Sequence, residues 1–286
     1  MSKLSNSWNM MKASATVLRL DPELLLFPLL SGIATVLVTA TFIVPFAFIG
    51  EGFGALENLD ENVGYFGYVV GFLYYLVLYS LIFFFNTALV GATMIRLDGG
   101  DPTISDGLNI AFKKMGAILQ YAAIAATVGM LLRALEERAG FIGRMVVGLI
   151  GLSWTLATFL TVPVLVTKEV SAIDAVKESA SVCKRTWGEQ VVANAGIGLA
   201  TFFILLAMGL VAVPLIILTA SISEALVIPL ALSFAGGFLL LILVSSAMKG
   251  IYSAALYRFA TTGDAGEHFS TEMMEEAFKE RKRRWQ

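Results

Sequence analysis

Six separate runs of roughly 20 apolar residues, the length an α-helix needs to cross a hydrocarbon core about 30 Å thick, recur along this 286-residue chain. That recurrence limits the possible folds more than any other feature. Hydrophobic residues make up 57% of the chain and charged residues 15%, against roughly a quarter charged in a soluble domain. A water-soluble core could not hide so much apolar surface. The expected fold is all-α: a polytopic transmembrane domain over residues 1–258, with spans at about 24–49, 64–95, 116–132, 145–166, 191–218 and 227–257, then a tail over residues 259–286. The first run contains Pro28 and Pro45 and has no small-residue cleavage site after a short apolar core, so it reads as a retained span.

The stretches between the runs carry a second pattern. Leu4, Trp8, Met11, Ala15 and Leu18 recur at helical spacing, with Asn6, Asn9, Lys12 and Arg19 on other faces, which predicts a helix lying in the membrane interface. Asp21-Pro22-Glu23 is a helix start: Asp as cap, Pro at the first helical position, Glu near the positive end of the dipole. Residues 50–63 hold four acids and no base and form an extramembrane loop. Asp98-Gly-Gly-Asp-Pro102 is a turn by its residue chemistry, and Ile104, Leu108, Ala111, Phe112 and Met115 form a second apolar stripe. Pro163 bends or loosens the last turn of span four.

After that proline, Ser171 can cap a helix with Asp174 three residues on. Ile173, Val176, Ala180, Cys183 and Trp187 form its apolar face, and Asp174, Lys177, Glu178, Ser181, Lys184 and Arg185 its polar face. Phe269, Met273, Ala277, Phe278 and Trp285 mark a last amphipathic helix ending in KERKRRWQ. The first three surface helices precede spans one, three and five, which predicts three structural repeats, each a surface helix leading into a helical hairpin.

Alternate segments hold 17 of the 20 Lys and Arg residues. Because basic residues are retained in the cytoplasm, both termini are expected there. Arg133, Arg138 and Arg144, in the loop between spans three and four, oppose the rule.

No catalytic constellation is legible. One Cys and one His exclude a disulfide framework and a His/Cys metal cluster; His268 lies in the polar tail, and Cys183 on an apolar helix face. Glu169, Asp174, Glu178 and Glu189, like Asp98 and Asp101, read as a solvated, salt-bridged surface, without the ligand spacing of a metal site. No catalytic residue, metal ligand or cofactor is expected. Ionisable and amide side chains inside a span are costly and carry function more often than surface ones, so Asn86, Gln120, Asn194 and Lys249 are the candidate intramembrane positions. Gly67 with Gly71, and Gly143, Gly148 and Gly151, are expected to seat neighbouring helices. Lys184, Arg185, Lys279, Arg281, Lys282, Arg283 and Arg284 are candidate ligands for anionic headgroups, at about 1 kcal/mol per basic residue near a surface.

Three stretches carry a resemblance: Trp8 to Leu20 followed by LLLFPLLSG at 24–32; PVLVTKEV from Pro163 with the AxxxS of Ala175 to Ser179; and Lys184-Arg185-Thr-Trp187-Gly188. On these the chain resembles, over nearly its whole length, a family of prokaryotic six-span membrane proteins known as a domain of unknown function. Through ALYRFATTG at 255–263 it is more distantly similar to the membrane domain attached to some glycerophosphodiester phosphodiesterases, whose catalytic domain has no counterpart here. The resemblance implies six spans and no reaction, ligand or catalytic residue.

The expected role is that of a non-enzymatic integral membrane protein, accessory, scaffolding or membrane-organising, acting through a basic cytoplasmic face. Expected partners are the lipid bilayer, above all its anionic headgroups, and a membrane protein or a second copy of the chain, with no nucleic acid. The alternative is a small-solute or lipid transporter or channel whose path runs between the hairpins.

Overall fold

The computed structural model describes residues 3–49, 64–185, 189–270 and 274. The described residues are helical, without strands. In chain order the helices are α1 (Lys3–Leu20), a 3-10 turn (Pro22–Leu25), α2 (Leu26–Ile49), α3 (Gly64–Leu97), α4 (Ile104–Lys113), α5 (Met115–Arg138), α6 (Phe141–Ala157), α7 (Thr161–Thr167), α8 (Ala172–Arg185), α9 (Glu189–Ile222) and α10 (Glu224–Thr262). Six segments are long and apolar enough to cross a membrane: Pro22–Val44, Val69–Leu97, Met115–Arg138, Phe141–Thr167, Ala200–Ala220 and Leu226–Thr262. The chain is thus all-helical with six candidate spans. The acidic loop at 50–63, Trp187, and the tail residues Met273, Ala277, Phe278, Lys279, Arg281, Lys282, Arg283, Arg284 and Trp285 lie outside the described residues, as do the side chains of Arg185, Glu189 and Asn194.

Consecutive long helices pack together: α2 with α3, α5 with α6, and α9 with α10. Helix α3 is the hub, touching α2, α4, α5, α7 and α10. The buried core sits at one end of this assembly, over Ala88–Leu97 of α3, Leu160–Leu165 around α7 and Ile251–Tyr257 of α10. Towards the other end Val36, Leu37, Leu149, Leu210, Val213 and Leu232 are exposed. Lipid tails are as apolar as leucine, so such side chains gain nothing by turning inward.

The three short surface helices bury small side chains. Helix α1 lies on α9 and α10, α4 on α3, and α8 on α5, α6 and α7. Buried against those neighbours are Ala13, Ser14 and Val17 of α1, Gly107 and Ala111 of α4, and Ala172, Ala175, Ser179 and Val182 of α8. Of the apolar stripes read in the sequence, Leu18 and Cys183 are buried, whereas Trp8, Phe112 and Ile173 are 54%, 61% and 56% exposed. Small side chains on the packed face let helices approach closely, and lipid accepts large apolar ones on the other face. Thr103 with Asp106 closes a full capping box on α4, and on α8 the Asp174 N–H donates to Ser171 Oγ at 3.2 Å, each satisfying a free helix N–H.

Other close approaches also differ from the spacing argument. A Cβ on Gly71 or Gly148 would meet nothing within 4 Å, whereas one on Gly107 would stand 2.6 Å from the Ala88 carbonyl oxygen, and one on Gly250 2.5 Å from Leu89. A Cβ on Gly91 would stand 2.9 Å from Ile110, and one on Gly151 would make ordinary contact with Leu132 at 3.7 Å, so the tightest seating glycines are on α3, α4 and α10. Asp21 does not cap the turn that follows it; its carboxylate takes two hydrogen bonds from Arg96 at the end of α3.

Candidate functional site

Span four is two helices, not one. Pro163 has no N–H, and its ring clashes with the carbonyl four residues back, that of Phe159; the chain accordingly leaves the helix at Thr158–Leu160 and restarts at Thr161. The loose ends are taken up by α8. Ser179 Oγ donates to the Ala157 carbonyl at 2.6 Å and accepts the Leu160 N–H at 3.0 Å. The break holds Phe159 beside Tyr252, ring centroids 6.2 Å apart.

Phe159 forms one wall of a cleft with a volume of about 230 Å³. Its other walls include Pro28 and Ser31 of α2, Phe85 and Asn86 of α3, and Ser246, Lys249, Gly250 and Ser253 of α10. Each of the three long-helix pairs therefore contributes. Gly250 lets α10 approach α3 so closely that its Cβ position lies 3.7 Å from Asn86 Oδ1. The cleft brings together Asn86 and Lys249, two of the four candidate polar positions. Gln120 is exposed on α5 away from it. Ser31, Ser246 and Ser253 were not singled out in the sequence. Ser246, Lys249, Gly250 and Ser253 repeat at the three- and four-residue spacing that marks one helix face, and that polar stripe in an apolar run was the available signal.

Helix length fixes the level of the cleft. At about 1.5 Å per residue, Leu226 to Lys249 and Gly64 to Asn86 each cover roughly 33–35 Å, slightly more than a hydrocarbon core of about 30 Å. Asn86 and Lys249 therefore lie at about the same distance from the far ends of their helices. Among the described residues Lys249 has no carboxylate partner, and no acid lines the cleft.

At this end of the assembly many described charges are paired. Arg96 bridges Asp21 and Asp101, Arg258 bridges Asp98 and Asp264, Lys114 holds Glu169 at 2.6 Å, and Lys168 holds Glu178 at 2.6 Å. Tyr257 Oη donates to the same Glu178 at 3.0 Å. Of the carboxylates weighed as cation ligands, Asp98, Asp101, Glu169, Asp174 and Glu178 are thus tied to bases. The Glu178 carboxylate raises the Lys168 pKa. Ser171 and then Lys177 lower that of Asp174, and Arg258 and the Gly266 N–H lower that of Asp264. Cys183 is buried beneath α8, and burial pushes its thiol up. Lys184 is exposed, without an acidic partner among the described residues.

The family model described as "Family of unknown function (DUF6159)" matches residues 65–269. The match spans the stretch from α3 through the turn after α10, and so includes Asn86, Phe159, Ser179 and Lys249. No curated protein matches the chain, and no solved structure does.

Proposed function

The chain belongs to DUF6159, a family of unknown function, and on that premise we propose that it is a non-enzymatic, membrane-organising protein that holds an anionic lipid by its headgroup in the cleft at Lys249. The single observation that carries this reading is an exposed ammonium group without a carboxylate partner among the described residues, beside an amide and three hydroxyls; the proposal sets it at headgroup level, because the helix lengths before it match a hydrocarbon core. A cleft of about 230 Å³ is smaller than the roughly 300–1,000 Å³ of drug-sized ligand sites. It suits a phosphate and its ester oxygens, with the acyl chains left in the bilayer.

In this reading the ion-paired end is cytoplasmic, as the distribution of basic residues argues, and the membrane is the inner membrane of a prokaryote. The three surface helices and three hairpins form repeats. Each surface helix rests on the hairpin before its own, with α1 resting on the last, so the order closes in a ring. Arg96, Lys114, Lys168 and Arg258 are engaged by carboxylates, which leaves Lys249, exposed Lys184 and the tail bases Lys279, Arg281, Lys282, Arg283 and Arg284 among the bases available for headgroup binding. Passage of a lipid or small solute past the cleft is the rival reading, favoured by the cleft's position among all three hairpins.

Thermal stability of the full chain in neutral detergent, titrated with short-chain phosphatidylglycerol or phosphatidylcholine, tests the proposal. Phosphatidylglycerol is expected to raise the midpoint by several degrees in the wild type and not in Lys249→Met. Equal shifts with both lipids, or an undiminished shift in Lys249→Met, would overturn it.

A further inference from the structure

A second hollow lies on another face of α10, and from it we propose that the groove between α1, α9 and α10 binds one anionic phospholipid, its phosphate on Lys12 and an acyl chain along α10. This inference stands apart from the cleft at Lys249. The groove has a volume of about 270 Å³ and apolar walls that include Ile204, Val244 and Met248. Its two hydroxyls, Thr201 and Ser245, bond each other at 2.6 Å, so the floor calls for a hydrocarbon occupant and not a polar one. At the rim Lys12 Nζ stands 5.6 Å from the centroid of the exposed Trp8 ring. Among the described residues Lys12 has no carboxylate partner, and no acid lines the groove.

The occupant follows from the surroundings. Phe203, Ile204 and Leu240 beside the groove are exposed on helices apolar enough to span a bilayer, so the hollow opens onto lipid. A cation and an indole at the mouth of an apolar slot favour an anionic headgroup: Trp rings prefer the interfacial level, and each buried methylene adds about 0.8 kcal/mol. The small face of α1 creates the slot, because Ala15 leaves unfilled the space a larger side chain would occupy.

Trp8 is a built-in reporter among four tryptophans, its emission obtained as the difference between wild type and Trp8→Phe. The full chain is placed in phosphatidylcholine vesicles that carry, at equal mole fraction, phosphatidylglycerol or phosphatidylcholine brominated on the acyl chain. Brominated phosphatidylglycerol is expected to quench Trp8 at least twofold more than brominated phosphatidylcholine. That preference should survive in Lys12→Arg and vanish in Lys12→Gln and in Ala15→Phe, which fills the slot. Equal quenching by the two lipids, or a preference that persists in Lys12→Gln, would overturn the proposal. So would an absence of quenching, which would mean that a second copy or another part of the chain covers the groove. A preference lost in Lys249→Met but kept in Lys12→Gln would assign the lipid to the cleft and likewise overturn the groove site.

Discussion

The hydroxyl of Ser179 donates to the carbonyl of Ala157 at 2.6 Å, and the same oxygen accepts the Leu160 N–H at 3.0 Å. One side chain on α8 thus replaces the helical bonds lost at the break before Pro163. The AxxxS spacing of Ala175 and Ser179 has a physical meaning here: Ala175 lets α8 come close, and Ser179 completes the helix it approaches. Both are fully buried.

Ser179→Ala should therefore strand a buried N–H and a buried C=O, at about 1–3 kcal/mol for each group left unsatisfied. Pro163→Ala permits the helix to close, so the double variant should lose less than the two single variants together, a coupling of roughly 0.5–3 kcal/mol. Thermal unfolding in detergent measures both. Strict additivity would mean that Ser179 does not serve the break.

Arg96 binds two carboxylates of opposite surroundings, Asp21 with its side chain 7% exposed and Asp101 with its side chain 93% exposed. Asp21→Asn should destabilise the fold by about 1–3 kcal/mol, the range for losing buried hydrogen bonds to a charged group, since Arg96 keeps Asp101. Asp101→Asn should cost about 0–1 kcal/mol, as exposed pairs do. Equal effects in a thermal melt would contradict the difference in burial.

Gly107→Ala should lower stability by about 1–3 kcal/mol, the usual range for overpacking, because the new methyl would lie 2.6 Å from the Ala88 oxygen. Gly148→Ala, with open space around it, should be neutral or slightly stabilising in its helix. Melting the two proteins side by side checks the contrast. A destabilised Gly148→Ala would show that another molecule packs there.

Cys183 is the only cysteine; it is buried, with its thiol pushed up by burial. Since the thiolate is the reactive form, a maleimide dye should label the folded protein slowly and the unfolding protein quickly, with the rise in fluorescence tracking the melt. Fast labelling at low temperature would show that α8 lifts from α5, α6 and α7.

Acidification should weaken the surface helices through Asp106, Asp174 and Asp264, whose carboxyls are held below their ordinary values by Thr103, by Ser171 and by Arg258 respectively. A lowered carboxyl pKa contributes stability that is present above the unfolded value, about 4, and is lost as pH falls through the folded value. Lys168, raised by Glu178, behaves in the opposite sense: its contribution is present below the unfolded value, about 10, and fades as pH rises through the folded one. The melting temperature should form a plateau between those limits and fall outside them. A midpoint that changes steeply between pH 5 and 8 would point to other groups.

The sequence by itself determined the membrane class, the six candidate spans and the local chemistry of the turns. Apolar runs of this length have one stable backbone solution as helices, and the Ser171 cap and the turn at Asp98-Gly99 depend only on near neighbours. The tertiary structure decided which faces meet. In lipid an apolar side chain gains nothing by turning inward, so hydrophobicity alone does not mark the inside: Trp8, Phe112 and Ile173 point outward while Phe27, Leu89 and Tyr252 are buried. The break in span four was half legible, since Pro163 announces it but Ser179 reaches it only through the docking of α8. Asn86 and Lys249 looked like isolated polar positions in separate spans. Only the close approach of α10 to α3 at Gly250, with Phe159 swung in from the broken helix, makes them one cleft.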